Sequence, residues 1–266
     1  NVLGVTTVFT YVNNRARLAA KLAEVYGHSD IPVAAGCESP LIGSWDKGLI
    51  PDQCKILKDE DGYNCSKFGA DLITDKVIEN RDVVIAAIGP LTNIAIALKR
   101  VPSISKRARL VMMGGMVGKA YPEWNIFCDP EAARIVFESG IPITMVGLDV
   151  TLKCELSEDD IERIGREKCE RNQFLYKLIR IYTGKYNRMP VLHDPLAMSA
   201  LIWPEILNFE YKDIRVETRG EFTRGVTVDY EGENPLFPRK PNTRVCVGVD
   251  EKGFIAHILE RLTQSV

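Results

Sequence analysis

Residues 83–93 read VVIAAIGPLTN, and this stretch favours one class of fold. Its first part, residues 83–88, is entirely apolar and ends abruptly at a Gly-Pro pair. A continuous apolar run, unlike one that alternates with polar residues, is typical of a strand buried on both faces. Such strands occur in parallel sheets that are covered by helices on both sides. Residues 83–88 therefore predict a strand of a parallel sheet.

Similar apolar runs recur along the chain and alternate with amphipathic stretches of helical period. The predicted strands are Val2–Val8, Val33–Ala35, Val83–Ile88, Leu110–Met113, Ile143–Leu148 and Val245–Val249. The predicted helices are Asn13–Tyr26, Asn93–Lys99, Pro130–Ser139, Glu158–Tyr182, Pro195–Pro204 and Glu251–Thr263. This alternation predicts an α/β fold with an open, mostly parallel sheet and helices on both faces. Because no linker or internal repeat is visible, residues 1–266 are interpreted as one domain.

Two stretches lack a clear period. Glu231–Asn242 is rich in Pro and Gly and predicts a surface loop. Ser44–Phe68 predicts a long connection, and such a connection in an α/β fold often borders the active site.

The composition argues against several classes of protein. With 45% hydrophobic and 26% charged residues the chain has an ordinary globular composition, and its net charge of -2 predicts no nucleic-acid surface. No apolar run approaches the roughly 18 residues of a membrane span, so no membrane partner is expected. The seven cysteines lack CxxC spacing and only three histidines accompany them, which disfavours a zinc site. Scattered cysteines of odd number suit a reducing compartment, here taken as the cytoplasm.

Ligands of open α/β sheets bind at the carboxyl ends of the strands, so the residues that follow the apolar runs are the candidate site residues. The first such residue is Ile88, which precedes Gly89-Pro90. Its carbonyl oxygen is a candidate ligand for a hard cation such as calcium. The alternative is a simple turn between a strand and a helix that Thr92 caps.

A second candidate segment follows the run that ends at Met113. Gly114-Gly115 permits a ligand to approach the backbone closely. Glu123 and Asn125 could hydrogen-bond to a polyol, although a polar loop before the next helix explains both equally well. Methionines such as Met113 lie in the core more often than in a pocket.

A third candidate segment contains one of the few histidines. His193 precedes Asp194-Pro195 at the start of a predicted helix. Asp194 could be a helix N-cap, which is the interpretation we give to Asp129-Pro130, or a metal ligand beside a proton donor. A fourth segment, Leu148–Thr151, contains Asp149, for which a structural role is favoured.

Taken together and in this order, these segments resemble the nucleoside hydrolases that act on inosine, uridine and related nucleosides. The resemblance runs from residue 1 to near the end of the chain. It is carried by Gly4–Val8, Ile31–Gly36, Ile88–Asn93, Met113–Gly115, Asn125 with Asp129–Ala133, and His193–Ala197.

The resemblance implies an α/β sheet, a calcium cofactor, a ribonucleoside substrate and a homodimer or homotetramer. By position, Asp194 and the carbonyl of Ile88 resemble calcium ligands, and Met113, Glu123 and Asn125 resemble ribose-binding residues. His193 resembles the residue that touches the substrate and assists the leaving base. The implied reaction is hydrolysis of the N-glycosidic bond of purine or pyrimidine ribonucleosides by a calcium-activated water, with His193 and Asp194 as catalytic residues.

The sequence also departs from the family pattern. The family's acidic DxDxxxDD segment, which lies on a strand of the sheet, has no counterpart here, so two unpaired strand edges or a gap in the sheet are expected. Tyr11 lies near the position of a family Asn, the loop between Gly115 and Glu123 is short, and Lys58-Asp59 lies where a His-Gly pair is expected. The alternative hypothesis is therefore a non-catalytic family member that binds a ribosyl ligand or serves as an assembly subunit.

Overall fold

The computed structural model describes residues 1–45, 48, 50–230 and 240–264. The strands are β1 (Val5–Thr7), β2 (Val33–Ala35), β3 (Val83–Ala87), β4 (Ala108–Met113), β5 (Ile143–Val146), β6 (Leu207–Lys212), β7 (Ile214–Val216), β8 (Thr227–Asp229) and β9 (Thr243–Val249). The α-helices are α1 (Val12–Val25), α2 (Gly69–Glu79), α3 (Thr92–Arg100), α4 (Trp124–Cys128), α5 (Pro130–Phe137), α6 (Leu148–Thr151), α7 (Glu158–Arg166), α8 (Glu170–Tyr186), α9 (His193–Ile202) and α10 (Glu251–Thr263). Short 3-10 helices span Asp52–Ile56, Pro102–Lys106 and Pro204–Ile206.

The main sheet has the strand order β3-β4-β5-β9-β6. The first four strands are parallel, and β6 pairs antiparallel with β9 at the edge. The register places Ala87 beside Met112 and Met113 beside Val146. The carboxyl ends of β3, β4 and β5 therefore meet at one edge of the sheet, and the predicted mostly parallel α/β fold is confirmed.

Strand β4 explains why the apolar runs do not alternate with polar residues. Leu110 and Met112 pack into a core with α2, α3 and α5 on one face of the sheet. Val111 and Met113 pack into a second core with α6, α9 and α10 on the other face. Because both faces are covered, every residue from Leu110 to Met113 is removed from water.

A separate parallel pair, β1 with β2, lies beside the main sheet. Asn93 at the start of α3 ties the ends of the two strands together, since its side chain donates to the Thr7 carbonyl at 2.9 Å and accepts from the Cys37 N–H at 2.8 Å. A Cβ at Gly36 would overlap the Asn93 side chain, so glycine is required there. Asn93 thus orders the loops that follow β1 and β2.

The two sheets are not joined by a ladder. Within the described ranges β1 pairs only with β2, and β3 pairs only with β4. The side chain of Ile88, directly after β3, is 51% exposed. Each of these two strands thus has one edge without a strand partner among the described residues.

Several predicted boundaries were wrong. The predicted strand Val2–Val8 is shorter, at Val5–Thr7, and Leu148 starts helix α6 instead of ending β5. The single helix predicted over Glu158–Tyr182 is two helices, α7 and α8. The ring of Tyr176 in α8 packs directly on Gly165 in α7, since a Cβ at Gly165 would lie 2.6 Å from Tyr176 Cε2. The second helix therefore folds back onto the first.

Other differences concern elements that the sequence pattern did not indicate. Helices α2 and α4 and strands β6, β7 and β8 were not predicted. Thr92 is the first residue of α3 and not its cap, since the N-cap is Leu91. Most of the loop predicted over Glu231–Asn242 lies outside the described residues. None of the described helices combines the length and the hydropathy that a membrane crossing needs.

Candidate active site

Glu123 lies at the centre of the site and is 3% exposed. It is the N-cap of α4, and its carboxylate accepts the N–H groups of Asn125 at 3.0 Å and Ile126 at 3.2 Å. It also accepts the N–H of Gly115 at 3.0 Å, which ties α4 to the loop after β4. Burial raises the pKa of Glu123, while these backbone hydrogen bonds oppose the shift.

Asn125 lies beside the end of β4. Its side-chain amide donates to the carbonyl of Met113 at 3.1 Å and lies 3.6 Å from the Met113 sulfur. Gly115 adopts a left-handed conformation with φ of 74°, and a Cβ there would lie 2.6 Å from Met145 Cε. Glycine at this position therefore lets the loop turn back over the sheet so that Met113, Glu123 and Asn125 form one wall.

Asp194 lies in the first turn of α9. The N-cap of that helix is Leu192, which makes no side-chain capping bond, so Asp194 is not the N-cap. Burial, followed by the negative charge of Glu123, raises the pKa of Asp194 to about 6. A carboxylate that is desolvated without capping its own helix fits a ligand-binding role better than a structural one.

Asp129 provides the internal comparison and is fully buried. Its carboxylate accepts the Ala132 N–H at 3.0 Å as the N-cap of α5. It also accepts the Leu41 N–H at 2.9 Å and the Thr92 hydroxyl at 2.7 Å. The N-cap interpretation of Asp129 is confirmed, and its further bonds fix the loop after β2 against α3.

His193 begins α9. Its Nδ1 lies 2.7 Å from the hydroxyl of Thr151, at the end of α6. Burial, and secondarily the positive charge of Arg188, lowers the pKa of His193. The lowered pKa favours the neutral imidazole, and the Nε2 atom makes no hydrogen bond with the described residues.

Ile88 directly follows β3, and its side chain is exposed. A Cβ at the next residue, Gly89, would lie 3.2 Å from Val8 Cγ1, so the chain after β3 runs close to the chain after β1. The carbonyl of Ile88 is thus at the carboxyl edge of the sheet, where the other site residues also lie.

The comparisons with known proteins identify the family of this chain. The family model described as inosine-uridine preferring nucleoside hydrolase matches residues 1–256. The chain belongs to this family. Its members are hydrolases that act on N-glycosyl compounds.

Two relatives of known name support the assignment. Uridine nucleosidase 1 of Arabidopsis thaliana is 32% identical over 291 residues, which cover 98% of this chain and 85% of that protein. The pyrimidine-specific ribonucleoside hydrolase RihA of Enterobacter sp. (strain 638) is 34% identical over 270 residues, which cover 93% of this chain and 84% of that protein.

Solved structures of the family have the same fold. A plant nucleoside hydrolase superposes with a TM-score of 0.84 at 28% identity, covering 100% of this chain and 91% of that one. The purine-preferring ribonucleoside hydrolase from Gardnerella vaginalis superposes with a TM-score of 0.84 at 27% identity, covering 98% of this chain and 90% of that one.

This nucleoside hydrolase family member has an aromatic cluster beside the site that sequence reasoning missed. The cluster consists of Phe9, Trp45, Trp124 and Phe127, whose neighbouring rings lie 5.4–6.2 Å apart between centroids. Trp45 is fixed by a 2.7 Å hydrogen bond from its indole N–H to the Cys128 carbonyl. Trp124 is 57% exposed. Its position in the sequence, between the candidate residues Glu123 and Asn125, could have indicated that it lies beside the site.

Two departures from the family pattern have structural roles here. Tyr11 adopts a left-handed conformation before α1, and its hydroxyl donates to the Gly48 carbonyl at 3.0 Å. Arg17 of α1 donates to the carbonyls of Lys58 and Asp61, both at 2.6 Å. The loop where a His-Gly pair was expected is therefore held against α1.

The metal-ligating groups form an incomplete set. Across the described ranges, no cluster of three or more His, Cys, Asp or Glu side chains could hold a metal ion. Asp194 and the carbonyl of Ile88 supply two oxygen ligands of the hard type. Calcium takes about six to eight oxygens, so these residues alone do not fit a complete calcium site.

Proposed function

We propose that this chain is a nucleoside N-ribohydrolase that converts purine or pyrimidine ribonucleosides to free base and ribose. The observation that carries the proposal is that Asp194, in the first turn of α9, lies close enough to Glu123, the N-cap of α4, for the charge of Glu123 to raise its pKa. A helix start and a loop that are far apart in sequence therefore lie near one another at one side of the sheet. Family membership supports the same reaction class.

The ribose is assigned to the wall formed by Met113, Glu123 and Asn125. Glu123 Oε1 accepts only the Asn125 N–H among the described residues, so it retains acceptor capacity for a sugar hydroxyl. The side-chain oxygen of Asn125, Oδ1, makes no hydrogen bond in the described part of the chain and is a second acceptor. Binding that fixes the sugar in this way would orient the anomeric carbon for attack.

In the reaction, the oxygen of water bonds to the anomeric carbon and the bond from that carbon to the base nitrogen breaks. Positive charge develops on the ribosyl ring during this exchange, as in other glycoside hydrolysis. The negative charges of Glu123 and Asp194 favour that charge. The electron pair of the broken bond stays with the base, and His193 is the group assigned to protonate it, while the proton that the attacking water loses restores His193.

Calcium is proposed as the metal of this site, with Asp194 and the carbonyl of Ile88 as two of its ligands. Because the described residues supply so few of the required oxygens, no step of the reaction is assigned to the ion here. A homodimer or homotetramer is proposed from the resemblance, and a cytoplasmic location from the seven free cysteines.

A second candidate function is a family member that binds without catalysis. A family member that binds a ribosyl ligand without cleaving it needs the ribose wall but no metal-activated water. One experiment separates the two functions: the chain, extended at its N-terminus by the family's DxDxxxDD segment, is incubated with inosine and with uridine in calcium, and both base release and ligand binding are measured. Base release supports the hydrolase, whereas saturable binding of intact nucleoside without release supports the binding protein. The absence of both base release and nucleoside binding would contradict both functions.

A further inference from the structure

The hydroxyl of Thr151 lies where it can control the imidazole of His193. Thr151 is fully buried at the end of α6, and its oxygen is 2.7 Å from His193 Nδ1. That distance is typical of a strong hydrogen bond. A buried hydroxyl in this position can fix which ring nitrogen carries the proton, since the bond made by one nitrogen determines the state of the other.

The direction of the bond follows from the acceptors around Thr151. A hydroxyl has one proton to donate, and the only other acceptor near it among the described residues is the Leu148 carbonyl at 3.4 Å. That distance is long for an O–H donor, for which about 2.7 Å is usual. The proton of Thr151 therefore belongs on the bond to His193 Nδ1, which leaves the ring proton on Nε2.

A backbone clamp holds the two residues in this geometry. Just after α6, the Cys154 carbonyl accepts the Leu192 N–H at 2.7 Å, and the Leu156 N–H donates to the Pro190 carbonyl at 3.0 Å. An isolated β-bridge between Glu155 and Val191 lies between these bonds. The chain after Thr151 and the chain before His193 are thus paired directly, which holds the backbones of the two residues close to one another.

We infer that Thr151 is a positioning residue that holds His193 as the Nε2–H tautomer. The tautomer itself is a property of the free protein. Its use in protonating the leaving base rests on the proposed function, because only a hydrolase needs that donor. The two statements are tested by separate measurements.

The tautomer is measured by long-range proton–nitrogen NMR on the 266-residue chain labelled with ¹⁵N-histidine. The chain has three histidines, so its spectrum is simple, and His193→Gln identifies the signal by its loss. At about pH 8, where an ordinary imidazole is neutral, His193 is expected to show an unprotonated Nδ1 and a protonated Nε2. A protonated Nδ1 in the unmodified chain would overturn the inference without any variant.

Variants then test whether the Thr151 hydroxyl determines the tautomer of His193. Thr151→Val keeps the branched shape and removes the hydroxyl, so the two nitrogen signals of His193 are expected to move towards a mixture of tautomers. Thr151→Ser restores the hydroxyl and is expected to restore the signals. His28 and His257 are internal controls whose signals stay in place. Unchanged His193 signals in a folded Thr151→Val chain would contradict the role of Thr151.

The catalytic consequence is tested by kinetics in a version of the chain that is extended at its N-terminus by the family's DxDxxxDD segment. Thr151→Val is expected to lower kcat on the order of tenfold with little change in KM, which is part of the effect of a general acid. A riboside whose leaving group needs no proton is expected to react at an unchanged rate. Equal slowing of both substrates would contradict the positioning role of Thr151, whereas an extended version that shows the Nε2–H tautomer and no turnover would refute only the proposed function.

Discussion

The carboxylate of Glu123 and that of Asp194 interact electrostatically at the carboxyl edge of the sheet, and the pKa of Asp194 is raised to about 6 by burial and by this neighbour. Glu123 is fixed by backbone N–H groups from the loop after β4 and from α4. Asp194 approaches from the first turn of α9. Two acids close to one another repel when both are ionised, so this arrangement favours a cationic ligand or a developing positive charge between them.

The first prediction concerns stability and pH. An acid whose pKa rises on folding keeps its proton in the folded state after the unfolded chain has lost it, so the free energy of unfolding falls as pH rises from about 4 to about 6. Asp194→Asn removes the titrating group and with it this fall in the free energy of unfolding. In chelator-treated buffer the variant is expected to match the unmodified chain near pH 4 and to exceed its free energy of unfolding by about 2 kcal/mol near pH 7.

Chemical denaturation at a series of pH values measures this difference. Asp159→Asn is a control, since Asp159 is exposed and lies at the start of another helix, α7. Parallel curves for Asp194→Asn and the unmodified chain across the whole pH range would contradict the raised pKa.

The second prediction concerns Glu123 as a structural anchor. Glu123→Ala leaves the N–H groups of Gly115, Asn125 and Ile126 without their acceptor in a buried place. Each unsatisfied group costs about 1–3 kcal/mol before relaxation, so a loss of about 2–4 kcal/mol in the free energy of unfolding is expected.

Glu138→Ala is the matched control, because Glu138 pairs with Arg134 at the surface, where the Glu138 side chain is 46% exposed. Such exposed pairs contribute less than about 1 kcal/mol. Thermal unfolding of both variants gives the comparison, and equal melting temperatures would mean that the bonds of Glu123 contribute little to stability.

The third prediction concerns calcium. The 266-residue chain is expected to bind calcium weakly and to turn over inosine and uridine at a negligible rate, because it offers few of the six to eight oxygens that the ion requires. Calorimetry with calcium and an assay of base release measure the two properties. Tight binding would mean that another acidic cluster acts as the site, with Asp59, Glu60 and Asp61 the nearest candidates. Asp61 already pairs with Lys21 at 3.3 Å, which makes this outcome unexpected.

The fourth prediction concerns catalysis in a version extended at its N-terminus by the family's DxDxxxDD segment. This version is expected to hydrolyse nucleosides, and Asp194→Ala is expected to abolish both hydrolysis and tight calcium binding, since removing one carboxylate weakens a hard-ion site. Asp159→Ala, which removes an exposed acid from α7, is the control. Full turnover with unchanged calcium affinity in Asp194→Ala would rule out the assignment of Asp194.

The fifth prediction separates His193 from Asp194 in the same extended version. His193→Ala is expected to slow nucleoside hydrolysis by about 10²–10⁴-fold, the usual contribution of a general acid. A riboside whose leaving group needs no proton is expected to react almost normally, because only protonation of the base has been lost. The ratio of the two rates is the measurement, and a ratio unchanged by the substitution would assign leaving-group protonation to another residue.

The sequence alone determined the α/β fold, the bounds of β2 and α10, and the segments that meet at the carboxyl edge. These features depend on local composition and on the order of elements, since apolar runs identify buried strands and parallel strands align their ends. Only the tertiary structure decided that α7 and α8 are two helices, where the ring of Tyr176 packs on Gly165. It also decided that Asp194 is no cap, that Thr151 contacts His193, and that Phe9 and Trp45 join Trp124. The reason is that each of these depends on a contact between residues distant in sequence, which neither periodicity nor local motifs can specify.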